Sequence, residues 1–330
     1  MMKFFRFGVV VSLSITVLLG SSCGTYNRII ARKNLVDGSK AYKDHKFKDA
    51  EQLFRDAVAR DPNGTSVEGK TAQLFLARTL HSEFIGDRSN KALAEEAIVQ
   101  YQKALQFEPN DQSSYKAIAS LYENLQKTDE WQKWVTARST NTSIPPEQRA
   151  EALTSLAAKK NTCANDISDT DQTKKTITKD SKQTYQFVKP TNAADFDTLK
   201  GCVDEGTRLI DQALALEPAE VKNAASIDVK SMTDQQLQAK LDLLKVFESA
   251  RSYKASLIFQ AMRVAEMDGK NADRDRLKAE GETARQSYLQ ISDVAKKIQA
   301  ELDDRAAAKE AEKAGNKNAN AAANAPATKK

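Results

Sequence analysis

Apolar residues recur along most of this chain every three or four positions, the spacing of one face of an α-helix, and the pattern stops where proline, glycine or a polar run interrupts it. From Gly38 to Pro62 (GSKAYKDHKFKDAEQLFRDAVARDP) two amphipathic halves flank a short polar turn holding His45. The second half closes on Ala57 and Pro62, and that ending returns as Ala104 to Pro109 (ALQFEP) and as Ala213 to Pro218 (ALALEP). Proline ends each copy because its ring clashes with the preceding turn and it offers no amide hydrogen. Three copies of one ending predict a repeated helical hairpin, and so an all-α fold. Beyond Pro218 the stripes lengthen: Leu237, Leu241, Leu244, Phe247 and Ala250 predict one long helix over 233–267. Leu277, Tyr288, Ile291, Val294, Ala295 and Ile298 predict another over 273–304. Long helices of this kind, over 219–304, suit a cap on the open end of a helical array.

Three stretches depart from helical periodicity. Residues 1–22 carry a basic head (Lys3, Arg6), an apolar run from Phe7 to Leu19 and a small-residue exit at Gly20, Ser21 and Ser22, the build of an export signal. The apolar run falls short of the ~20 residues a bilayer-crossing helix needs. Residues from about 160 to 200 are rich in Asp, Thr, Lys and Ser, a composition expected to stay a flexible insertion. From Arg305 to Lys330 the chain is dominated by Ala, Lys, Glu and Asn, and is expected to be a disordered tail.

Composition narrows the function classes. Glycine (12) and proline (7) are scarce among 330 residues, and 50 basic against 45 acidic residues leave a net charge of +5. A charge so evenly spread is no footprint for nucleic acid, which needs basic residues gathered on one face, so no nucleic-acid partner is expected. Two histidines, His45 and His81, stand apart, without the spacing of a metal site. No nucleophile elbow, phosphate loop or dinucleotide fingerprint occurs. The acidic run Asp166, Asp169 and Asp171 lacks the glycine and closing glutamate of a calcium loop. Neither enzyme activity nor a cofactor is expected.

The hairpin spacings resemble the tetratricopeptide repeat, a unit of about 34 residues with small side chains at places 8 and 20, an aromatic at 24, Ala at 27 and Pro at 32. Gly38, Ala50, Phe54, Ala57 and Pro62 fall on those places in a first unit that starts at Ala31. Ala77, Ala97, Tyr101, Ala104 and Pro109 do so in a second, whose turn carries eight extra residues around Glu83 to Lys91. Tyr115, Ile118, Ala119 and Tyr122 open a third unit; Ala157, Gly206, Ile210, Ala213 and Pro218 trace a fourth around the insertion. The resemblance implies an α-solenoid over 23–218. It also implies a partner-binding groove lined by first helices at places 2, 5, 9, 12 and 13. Carried over, these are Arg32, Leu35, Ser39, Tyr42 and Lys43; Thr71, Leu74, Arg78, His81 and Ser82; and Ser113, Lys116, Ser120, Glu123 and Asn124. Each of them reads equally well as ordinary surface. Ser39, Arg78 and Ser120 stand where a carboxylate-gripping relative has Asn.

In the repeat register Cys163 and Cys202 fall on either side of the turn that joins the fourth pair of helices. Their helix ends meet in such a hairpin, so a disulfide is expected in an oxidising compartment, two free thiols being the alternative. The amino end resembles a bacterial lipoprotein signal, which implies a mature chain starting at an acylated Cys23. Gly24, in place of the Asp of inner-membrane retention, points to the outer membrane, facing the periplasm. The implied role is an anchored scaffold or adaptor for an envelope protein or a peptide segment of one. A pilot or assembly lipoprotein for outer-membrane barrels or secretin rings is the variant of that role. A solute-binding or enzymatic lipoprotein is the alternative of another class.

Overall fold

The computed structural model describes residues 24–179 and 181–323; the export segment and Cys23 lie outside them. The described chain is all-α apart from one β-hairpin, and falls into two compact units that divide after Trp134.

The first unit is built from α1 (24–43), α2 (Phe47–Arg60), α3 (Val67–Gly86), α4 (Lys91–Phe107), α5 (Gln112–Asn124) and the start of α6 (Thr128–Thr140). Consecutive helices lie against one another, and one core runs through Ala50, Phe54, Leu76, Leu80, Phe84, Ala97, Tyr101, Ile118 and Leu121. The small and aromatic positions of the sequence pattern are its joints. Ala50, Phe54, Ala57, Ala77 and Ala97 are fully buried. A side chain on Gly38 would meet the Phe54 ring at 2.7 Å, so α1 comes this close to Phe54 only because Gly38 has no Cβ. The eight extra residues of the second hairpin lengthen α3 to Gly86 and fill the turn before α4. Polar side chains tie the turns down. Ser66 caps α3 by accepting from Gly69 N, and Asp111 caps α5 by accepting from Ser113 N and Ser114 N. Such caps satisfy amides that have no partner inside the helix. Two chain reversals share a further device. His45 (φ 59°) and Gln126 (φ 57°) adopt the left-handed conformation, and the residue after each bonds back across the turn, Lys46 N to Ala41 O and Lys127 N to Tyr122 O. This is the standard left-handed close of a helix, usually given to glycine.

The second unit holds the rest of α6, α7 (Pro146–Ser168), β1 (Lys174–Lys179), β2 (Lys182–Phe187), α8 (Ala193–Ala215), the single turn α9 (Ala219–Lys222), α10 (Asp234–Met267) and α11 (Asn271–Ala323). Pro146 opens α7 at the first position, where a missing amide hydrogen costs nothing. A capping box between Thr233 and Gln236 opens α10. The α7–α8 hairpin and α10 pack on one another, and α10 runs against α11. At the crossing of α8 and α10, Gly206 admits Leu257, which would lie 2.7 Å from any added Cβ.

The stretch from about 160 to 200, expected to be flexible, is ordered. Helix α7 continues to Ser168, β1 pairs antiparallel with β2 (Thr176 opposite Tyr185, Thr178 opposite Gln183), and α8 starts at Ala193. Two features hold this insertion at its neck. Cys163 and Cys202 form a disulfide, with their Cα atoms 6.2 Å apart, inside an apolar cluster of Ala164, Phe187, Phe196, Leu199, Val203 and Met267. Beside it, Arg263 of α10 donates to Ser168 Oγ at 3.0 Å and Asp169 Oδ2 at 3.3 Å, and its guanidinium stacks 4.6 Å from the Phe187 ring centre. Ser168 Oγ in turn donates to the buried Gln260 at 2.8 Å. At the far end, α11 carries on past Arg305, but every residue from Ala306 to Lys313 is exposed. Packing therefore ends where the alanine- and lysine-rich stretch begins. Among the described residues no helix is long and apolar enough to cross a membrane.

A candidate protein-binding face on the first unit

The three first helices α1, α3 and α5 carry the residues that the repeat register assigns to a groove, and side chains bridge from each to the next. Tyr42 Oη lies 2.9 Å from Ser82 Oγ, joining α1 to α3. Arg78 of α3 donates to Ser113 Oγ of α5 at 3.2 Å, and its guanidinium sits 5.5 Å from the centre of the Phe75 ring. Tyr42 meets the same ring edge-on at 6.2 Å between centroids. Tyr42, Phe75, Arg78 and Ser113 thus form a connected line across three helices. His81 is half-buried, 3.4 Å by its Nδ1 from Tyr101 Oη. Burial and the nearby Arg88 hold the His81 imidazole below its ordinary range, and burial pushes the Tyr101 phenol up, so both stay neutral near pH 7.

The remaining assigned residues are placed less deeply. Arg32 and Lys43 on α1 are exposed, and so are Lys116, Ser120, Glu123 and Asn124 on α5. Ser39 turns back to donate to Leu35 O at 2.7 Å, so its hydroxyl is committed to its own helix. Asn124 is held by a bond to Ser120 O at 2.8 Å and accepts from Arg88 at 2.7 Å. Tyr42 and Arg78 are therefore drawn into one line through Phe75, His81 is paired with Tyr101 beside it, and Arg32 and Lys43 stand outside it. Phe75 joins it although the register did not single it out, and Arg88, equally unassigned, bonds Asn124 and lies over the Phe84 ring. Phase along α3 would have found Phe75, three residues before Arg78 on one helix face.

Next to this line lies an open cleft of about 540 Å³, lined by Val67, Lys70, Thr71 and Leu74 of α3, by Ala104 of α4, and by Glu108, Asn110 and Asp111 at the head of α5. Its volume is that of a site for a small molecule or for one or two side chains. Val67, Leu74 and Ala104 supply an apolar floor, and Lys70 crosses the rim to Glu108 at 3.1 Å. Thr71 and Leu74 were assigned to the groove by register; Val67 and Lys70, one helical turn away, complete the same side. Among the described residues no cluster of His, Cys, Asp or Glu could hold a metal ion.

On the other side of the unit a charge network joins α2, α3 and α4. Glu51 and Glu96 both bond Arg55, and Lys48 pairs with Glu51 at 3.3 Å and with Glu83. Glu83 is buried, and apart from Lys48 its carboxylate oxygens have no hydrogen-bond partner among the described residues. Burial pushes the Glu83 carboxyl above its ordinary range and Lys48 offsets that only in part. Burial also pushes Glu51 up, but bonds from Arg55 and Lys48 outweigh it and hold Glu51 below its ordinary range. The two carboxyls therefore act on stability with opposite sign. A raised acid binds its proton more tightly when folded, so its contribution is present below its ordinary pKa and is lost as pH rises through the raised one. Replacing Glu83 with Gln removes that loss. The melting temperature of E83Q minus that of the parent should rise between about pH 4 and pH 8. A difference that stays flat across that range would show that Glu83 does not titrate above the usual glutamate range.

No family model and no curated protein matches this chain. Among solved structures it is similar to a tetratricopeptide repeat protein from Parabacteroides merdae ATCC 43184, at 11% identity over 82% of this chain and 99% of that one, with a TM-score of 0.31. It is also similar to pilF of Pseudomonas aeruginosa, at 13% identity over 77% of this chain and 99% of that one, with a TM-score of 0.29. Neither likeness is strong enough to carry a function across.

Proposed function

We propose that the chain is an exported interaction scaffold, acylated at Cys23 and held on the periplasmic face of the outer membrane. It binds an extended segment of an envelope protein on the α1, α3 and α5 face, without turnover. The carrying observation is the line Tyr42, Phe75, Arg78 and Ser113, which spans three helices and borders a cleft with an apolar floor. Such a surface offers what peptide recognition uses: a pocket for one anchoring side chain, and fixed polar groups beside it for backbone and side-chain hydrogen bonds. Arg32, Lys43, Arg78 and Lys116 give the face a basic cast, which suits a segment carrying carboxylates. The disulfide supports the compartment, since such bonds persist where the surroundings are oxidising. Several acyl chains on Cys23 would hold the chain stably on lipid, where one chain binds only reversibly.

Photo-crosslinking in intact cells tests the binding face. A crosslinker at Lys116 should capture a discrete partner, whereas one at Gln52, exposed on α2, should not. Changing Arg78 to Glu should cut the Lys116 yield about tenfold, the effect of ~1.4 kcal/mol. Equal capture from both positions would refute the assignment of the face.

A further inference from the structure

Three of the seven large apolar side chains that the described residues leave exposed lie on α1: Tyr26, Ile29 and Val36, each 60% exposed. They are not scattered. Residues 26, 29, 33, 36 and 40 lie on one stripe of a helix turning 100° per residue. That stripe points away from Ala31, Leu35, Gly38 and Tyr42, which face the core. Its two remaining places are Lys33 and Lys40, both exposed. Over 24–43 the helix carries Arg28, Arg32, Lys33, Lys40 and Lys43 against Asp37 as its one acid. Arg28 pairs with Glu68 and Lys33 with Asp37, while Lys40 stands on the stripe and Arg32 and Lys43 border it on the flank it shares with the proposed binding face.

We infer that the outer face of α1 is a docking surface for an anionic bilayer. An apolar stripe flanked by lysine and arginine is the pattern of a helix that lies in the plane of a membrane, its apolar side chains at the acyl boundary and its charges among the headgroups. Tyr26 and Ile29 follow Cys23 by three and six residues in sequence, so the stripe begins where the proposed acyl chains would enter lipid. Charge complementarity selects the lipid: each lysine near an anionic surface adds to binding, and a neutral surface offers nothing to the excess on α1. The inference rests on the anchoring reading for bringing a bilayer within reach. It goes further in fixing which face of the first helix meets that bilayer, so that the first unit is oriented on it and not merely tethered.

The test uses the full chain reconstituted into vesicles of phosphatidylcholine, with or without phosphatidylglycerol, some carrying nitroxide on the acyl chains. Variants I29W and V36W place a reporter on the stripe, and V99W places one on an exposed site of α4. Emission is read against the parent, whose own tryptophans are Trp131 and Trp134. In anionic vesicles, I29W and V36W should shift to the blue and lose most of their added emission to the nitroxide, while V99W keeps its own. Changing Lys33 and Lys40, the two lysines of the stripe, together to Gln should reduce the quenching towards its level in neutral vesicles. Chain that floats with vesicles while I29W is quenched no more than V99W overturns the docking and leaves the anchor standing. Chain that fails to float overturns both. Equal quenching in neutral and anionic vesicles overturns the choice of lipid. A blue shift that appears without vesicles and grows with protein concentration overturns the inference in favour of a second copy.

Discussion

Replacing Cys163 and Cys202 together by Ala should lower the stability of the second unit by about 4 kcal/mol and its melting temperature by on the order of 10 °C. The bond joins residues 39 apart in sequence, and most of the effect comes from the unfolded chain, which gains a large loop of freedom when the bond is absent. The folded state contributes as well. Cys202 is buried among Phe196, Leu199 and Val203, so truncating its sulfur leaves a small void in the neck cluster. Reductant should reproduce the loss in the parent and do nothing to the double variant. Hydrogen exchange locates it: the end of α7, both strands and the start of α8 should lose protection first, because the disulfide and Arg263 are what hold the insertion on α10. If reductant leaves the melting curve of the parent unchanged, the cysteines contribute no cross-link to stability.

That insertion also shows where sequence reasoning succeeds and where it stops. The cysteine pairing could be anticipated because repeat register fixes which helix ends are neighbours, and the pair lies where two such ends meet. The order of the segment between them could not be read from composition. Lysine, threonine and aspartate made it look unable to bury apolar surface, yet Thr176, Ile177, Thr178, Thr184 and Tyr185 are β-formers set in two short runs, and Phe187 carries the second run into the neck cluster. One anchoring aromatic, one disulfide and one arginine from a helix far along the chain order a polar hairpin. The arginine has no signature in local sequence. The helices themselves were legible because their apolar period is local. The line across α1, α3 and α5 was half legible: register placed Tyr42 and Arg78 on one face, but Phe75 beneath them and the cleft edge at Val67 and Lys70 follow from how the helices meet. The outer stripe of α1 was not legible in the sequence, because three apolar residues interrupted by two lysines make no continuous period, and the buried opposite side of the helix is what defines it.

The second large effect expected is a reversal of sign at the joint between Gly38 and Phe54. Phe54 is fully buried and touches the core on all sides, so Phe54→Ala should cost about 3–5 kcal/mol through lost burial and the cavity left behind. Gly38→Ala alone should also destabilise, by roughly 1–3 kcal/mol, because the new methyl would sit 2.7 Å from the Phe54 ring and an aromatic ring cannot give way as a flexible chain end does. Glycine inside a helix is itself unfavourable by about 0.5–1 kcal/mol relative to alanine, so a helix-interior glycine needs a steric reason, and Phe54 is that reason. Once Phe54 is alanine, the same Gly38→Ala change should become stabilising by about 0.5–1 kcal/mol, since the clash is gone and only the helix preference remains. Denaturant melts of the four chains close the cycle. Distant sites add to within ~0.5 kcal/mol, so simple additivity would mean that the ring does not occupy the space above Gly38. The same test transfers to the second unit, where Leu257 of α10 fills the space over Gly206. There the nearest neighbour is a leucine methyl, which can turn aside as a ring cannot, and Lys160 Cβ would still lie 3.1 Å from the new methyl, so Gly206→Ala should cost less than Gly38→Ala and cutting Leu257 back to Ala should relieve that cost only in part.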